Sequence, residues 1–198
     1  SRLSLLTAFK LSETSKMTGE KQNNRSIQLG LAYRPQQSKW LLLNKLELRQ
    51  DQTTGSQFDS ESWRVINMFN GNYKTGRWQL SLQYGAKTVK ETINNLQYKN
   101  FVDLTGVEAR YDLSKKWDIG VHGSVLHAWD LKQYDYNSGV SVGHRFADNV
   151  WISVGYNFNG FRDEDFSRSN YTSKGIFLRF RIKFDQTTVR DAVKWAGQ

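Results

Sequence analysis

The chain has 198 residues, no cysteine, a single proline, 14% aromatic residues and a formal charge of +9. Its length fits one domain, and neither a disulfide framework nor a thiolate metal site can be built from it. No stretch approaches the roughly 20 apolar residues of a membrane helix, which excludes a helical membrane protein.

Taken in chain order, the sequence alternates with a period of two in segments of about 10 to 13 residues, the signature of strands with one apolar and one polar face. Leu3, Leu5, Phe9 and Leu11 alternate with Ser4, Ala8 and Lys10; Ile27, Leu29, Leu31 and Tyr33 alternate with Gln28, Gly30, Ala32 and Arg34. Trp40, Leu42, Leu46 and Leu48 then oppose Lys45, Glu47 and Arg49. The fourth segment, Trp63 to Tyr73, is less regular, because Ile66 and Met68 fall on the polar face. Leu80, Leu82 and Tyr84 oppose Gln79, Ser81, Gln83, Gly85 and Lys87, and Val107, Ala109 and Tyr111 oppose Glu108 and Arg110. Ile119, Val121 and Val125 face away from Asp118, Gly120, His122 and Ser124; Val140, Val142 and Phe146 face away from Gly139, Ser141, Gly143 and Arg145. The last two segments set Ile152, Val154, Tyr156 and Phe158 against Ser153, Gly155 and Asn157, and Ile176, Leu178, Phe180, Ile182 and Phe184 against Arg179, Arg181 and Lys183. Trp151 has the wrong parity, which predicts a bulge there or an inward-facing ring.

Short connections at 35–38, 74–76, 113–115 and 147–149 alternate with longer polar ones at 12–24, 50–60, 91–99, 130–134 and 160–172. Such alternation in an antiparallel meander puts every short turn at one end, as in transmembrane barrels with periplasmic turns and extracellular loops. The expected fold is a closed antiparallel up-and-down transmembrane β-barrel of about ten strands over residues 1–185, followed by a periplasmic tail over 186–198. Both termini are expected in the periplasm. Tyr33, Trp40, Tyr73, Trp78, Tyr111, Trp117, Phe146 and Phe184 form an aromatic girdle at the short-turn end, where amphipathic rings favour the headgroup boundary. Residues Ser1 to Leu11 carry no basic region followed by an apolar block, so the sequence starts after a removed signal peptide or within a longer chain.

Ser173 to Phe180, with Gly175, Leu178, Phe180 and the later Phe184, resembles the C-terminal signal strand of bacterial outer-membrane proteins. That resemblance implies recognition by the barrel-assembly machinery, although this chain continues past Phe184 to Gln198. Residues Asn149 to Asn157, Gly160 to Phe166 and Phe180 to Asp185 resemble the C-terminal barrel region of large Gram-negative surface proteins that carry repeats upstream. This likeness runs from about Trp63 to Arg190 and implies a membrane anchor within a larger polypeptide or assembly, in the bacterial outer membrane.

In a barrel the polar face is the lumen, so Lys45, Glu47, Arg49, Lys87, Glu108, Arg110, Arg145, Arg179, Arg181 and Lys183 would form ion pairs filling a narrow interior. An anion-selective passage is the alternative, and ten strands leave little room for one. A hydrolase would draw on His122, His127, Asp130 and the Asp163-Glu164-Asp165 run, but His122 and His127 have opposite parity and do not converge. Arg162, Asp163, Glu164 and Asp165 are expected to order the last loop through local salt bridges. The basic residues are spread along strands without exposed stacking aromatics, which argues against nucleic acid. No enzyme activity, metal or cofactor is expected. The partners are outer-membrane lipid and lipopolysaccharide, together with a protein partner or upstream domains at the periplasmic rim. The tail would meet that partner through Val189, Val193 and Trp195, spaced as one face of a short helix.

Overall fold

The computed structural model describes residues 3–17, 19–35, 38–55, 59–147, 150–161, 163, 165–166 and 173–182. Among these, ten strands follow one another: β1 (Leu3–Ser15), β2 (Lys21–Tyr33), β3 (Trp40–Thr54), β4 (Ser60–Thr75), β5 (Trp78–Ile93), β6 (Leu96–Asp112), β7 (Trp117–Ala128), β8 (Gln133–Ala147), β9 (Val150–Asn159) and β10 (Gly175–Ile182). Each pairs antiparallel with its sequence neighbours in one all-β sheet of order β1 to β10. Period-two alternation fixes this register, because a slip of one residue would move every apolar side chain to the polar face.

The longer connections of the sequence reading are mostly strand. β5 and β6 meet across Asn94 and Asn95 alone, both at positive φ (48° and 68°), where residues 91–99 were expected to loop. β1 runs to Ser15 and β3 to Thr54. Polar composition suggested loops there, but a strand that has left an apolar zone keeps its ladder while its side chains turn hydrophilic. The salt bridges expected within 162–165 involve Arg162 and Glu164, which lie outside the described residues; Asp163 and Asp165 make long-range ones, described below.

Ile66 and Met68 do lie on the polar face, opposite Glu47 and Lys45. Trp151 also faces that way, opposite Arg145 and Arg181, and the β8–β9 register shifts beside it between Arg145 and Ala147. The polar face is concave. Arg179 of β10 lies 3.5 Å from Glu108 of β6, four strands away, which requires a strongly curled sheet. Among the described residues β1 pairs only with β2 and β10 only with β9, so the sheet has two free edges where a closed ring was expected.

Candidate functional site: the layered concave face

Inward-facing residues stack in four layers from the short-turn end towards the loop end. The first is centred on Arg110, 4% exposed, which donates to Glu108 Oε1 (2.9 Å), to Ser141 Oγ (3.0 Å) and to Asp118. Glycine at 120 makes the room, since a Cβ there would lie 2.8 Å from Arg110 Nη1. Three acceptors around one buried guanidinium compensate a charge that would otherwise be expensive to bury.

Above it lies a polar cavity of about 280 Å³ lined by Asn70, Asn72, Ser81, Gln83, Ser124 and Asn137, with Glu108, His122 and Arg179 beside them. His122 Nε2 is 2.9 Å from Asn157 Oδ1, and the fully buried Asn157 donates to the Ser173 carbonyl at 3.1 Å.

The third layer is apolar. Ile66, Val102, Leu104 and Leu126 converge on Phe166, 2% exposed, with Met68, Ala128 and Phe161 packed around them. Phe166 comes from the connection between β9 and β10, which folds back onto the concave face. Its ring lies against Gly85, where a Cβ would approach Phe166 Cε1 to 2.8 Å.

The fourth layer ties that connection down. Lys87 donates to Asp163 Oδ2 (2.5 Å) and Asp165 Oδ2 (3.1 Å) and lies 5.2 Å from the Phe166 ring centroid. Arg49 pairs with Asp165 (3.1 Å) and Glu47 (2.6 Å), Lys45 with Glu47 (2.6 Å), and Arg64 with Asp165 (3.6 Å). Asp163 Oδ1 accepts the backbone N–H groups of Asp165 and Phe166, which holds the turn that presents the ring. The pairs of Asp163 and Asp165 with Lys87, Arg64 and Arg49 join residues 76 to 116 positions apart, so these two carboxylates tie the connection to the strands.

Of the expected inward charges, Lys45, Glu47, Arg49, Lys87, Glu108, Arg110 and Arg179 enter these contacts. Arg145 and Arg181 occupy the matching register opposite Trp151. Lys183, Phe184, Val189, Val193 and Trp195 lie outside the described residues. Gly175, Leu178 and Phe180 belong to β10, with Leu178 and Phe180 facing outward beside Val154 and Ile152.

The outer face is apolar between two aromatic belts. At the short-turn end Trp40 packs on Tyr73, Trp78 on Tyr111 and Trp117 on His144, with centroids 4.3 to 4.9 Å apart. The rings pair between strands opposite one another in the ladder, and His144, not among the residues expected in the girdle, packs on Trp117. The second belt was missed. Trp63, Phe101, His127 and Tyr134 each stand ten residues along their strands from Tyr73, Tyr111, Trp117 and His144. Ten residues rising about 3.3 Å each, tilted about 40°, span roughly 25 Å, the height of a lipid-facing band. Within this belt His127 stacks on Tyr134 (4.1 Å), and Trp129 Nε1 donates to Asp103 at 2.7 Å. Tyr134 and Tyr136 share the parity of Val140, but the connection expected at 130–134 takes in Tyr134. Beyond Trp63, Gln50 and Trp63 donate to Glu61 and hold its carboxyl below its ordinary range.

Among the described residues, the hydrolase candidates His122, His127 and Asp130 do not come together. His122 faces inward and His127 outward, 3.6 Å from Asp103, while Asp130 accepts from the Phe101 amide.

No family model matches the chain, and no curated protein matches it in sequence. Solved structures match in fold. An anion-selective porin from Comamonas acidovorans aligns with a TM-score of 0.50 and 11% identity, over 91% of this chain and 59% of that one. The NanC porin aligns at 0.44 and 7%, over 92% and 96% of the two chains. The translocator domain of the autotransporter NalP from Neisseria meningitidis aligns at 0.42 and 10%, over 93% and 77%. The chain thus has a porin-like antiparallel sheet and spans 59% of the length of the Comamonas porin.

Proposed function

We propose that this sheet belongs to the wall of a closed transmembrane barrel in the outer membrane of a Gram-negative bacterium, and that the barrel is a non-conducting anchor for a larger envelope or surface assembly. The membrane reading is supported by an outward face of Leu, Val and aromatic side chains bounded by belts roughly 25 Å apart. The anchor reading is carried by one observation: Phe166 fills the concave face at an apolar layer while Lys87, Arg49 and Arg64 pin its loop. An apolar constriction without polar lining repels water and ions. Both termini are assigned to the periplasm and partner contacts to the short-turn rim, through the tail around Val189, Val193 and Trp195.

The test is planar-bilayer recording. The native protein is expected to pass no steady current, whereas Phe166→Ala combined with Asp163→Asn and Asp165→Asn should open a path in which Lys87, Arg49 and Arg64 have lost the carboxylates at 163 and 165, and should select anions. Steady conductance by the native protein would overturn the anchor reading. It would favour the second reading, a small anion-selective channel, which the excess of inward cations and the likeness to an anion-selective porin support.

A further inference from the structure

The free edges of the sheet say more than that a barrel must close. Among the described residues, β1 presents 13 residues with no ladder partner on one side, and β10 presents 8. The outer face of β1 carries Leu3, Leu5, Phe9 and Leu11, in register with Tyr33, Leu31, Ile27 and Arg25 of β2. From Leu3 to Phe9, with Thr7 opposite Leu29 the one polar position, these rows continue the apolar wall to the very edge. On the concave side Leu6 is 70% exposed, whereas apolar residues facing inward from β6 and β7, such as Leu104 and Leu126, are buried. A neighbour is missing on both faces at once. In hydrocarbon the unpaired N–H and C=O groups of such an edge find no water, so a membrane-embedded β1 must have a strand beside it.

Resting on the membrane reading above, we propose that this strand is not β10: an even number of further strands, at least two, from the same polypeptide ahead of Leu3 stands between β1 and β10. Three observations support that occupant. Every strand pairs with its neighbour in sequence, and β1 starts at the short-turn end, so one tight turn brings a preceding segment onto its free edge. The sheet overlays 59% of a longer porin, as an arc of a larger wall. The curl also limits the gap: β6 and β10 lie about 19 Å apart along the sheet at about 4.8 Å per strand, yet their side chains meet. Filling the gap with a second copy would double the strand number and flatten that curl. An even count keeps both ends of the wall on the short-turn side, as bacterial single-chain barrels have it.

Residues 1–198 contain no cysteine, so no thiol of this sheet competes with the introduced pairs. Thr7→Cys with Leu29→Cys, opposite each other in β1 and β2, is the positive control in the polypeptide as made in its own membrane. Leu5→Cys, Thr7→Cys and Phe9→Cys are each combined with Leu178→Cys, so that three registers of a direct β1–β10 seam are sampled. The control pair should oxidise nearly completely and the three seam pairs by less than a tenth as much, without disulfide-linked dimers. An intramolecular disulfide in any seam pair would overturn the proposal in favour of direct closure, and a disulfide-linked dimer would overturn it in favour of a second copy. Failure of the membrane reading is seen separately, as a control-linked protein that stays soluble without detergent.

Discussion

At the scale of single residues, the ion pairs differ most in burial. Lys87 is nearly enclosed between Asp163 and Asp165. Removing it strips the buried Asp163 carboxylate of its Lys87 ammonium and leaves Asp165 to Arg49 and Arg64, so Lys87→Ala should destabilise the folded protein by about 3 to 5 kcal/mol. Lys45 reaches the same network through Glu47 but is much more exposed, and Lys45→Ala should cost below about 1 kcal/mol. Urea midpoints of vesicle-folded protein separate the two. Gly155 offers a steric counterpart: a Cβ there would meet Phe177 Cζ at 2.3 Å and the Val140 carbonyl at 2.5 Å. The backbone oxygen cannot swing aside as a side chain would, so Gly155→Ala should cost about 1 to 3 kcal/mol in the same assay. The inward direction of these charges was legible from parity. Their partners were not, because parity says which face a residue takes and nothing about which distant loop comes to meet it. The apolar layer stayed hidden for a related reason. Val102 and Leu126 sit beside Phe101 and Val125 in two-residue apolar runs, where alternation cannot assign a face.

At the scale of elements, the strands outrun the apolar band at one end and continue as a polar collar. The Asn94-Asn95 turn closes that collar with two residues at positive φ, the geometry that favours Asn-Gly. Asn95→Gly should therefore stabilise the β5–β6 hairpin by up to about 1 kcal/mol, measured by amide exchange at Thr92 and Gln97. On the outer face, Arg placed at Leu82 or Val142 should cost about 2 to 4 kcal/mol in bilayer-folded protein if both face mid-bilayer lipid. Strand number and the outward face could be read from the sequence, since ten alternating segments each carry several apolar positions. Loop lengths could not, since hydrophilic strand and hydrophilic loop have the same composition and differ only in whether a neighbour completes their hydrogen bonds.

At the scale of the whole molecule, the proposed anchor separates two deletions. Removing Thr187 to Gln198 should leave the protein in the membrane and weaken co-purification with its partners. Removing 163–170 should unseat Phe166 and change conductance, with less effect on the partners. Loss of the partner from the loop deletion alone would place recognition at the opposite rim. How the wall closes could not be read from period-two alternation, because an edge strand and a central strand alternate alike. The seated connection also sets a timetable. Strand pairing in this meander joins neighbours in sequence, whereas Asp165 must find Arg49 across 116 residues, and contacts of such separation form late. The neighbouring strands of a newly inserted molecule should thus pair before its throat is stopped. For that interval it is a leak, visible as a burst of dye release from vesicles during folding that ceases once Phe166 is seated and persists when Phe166 is replaced by Ala.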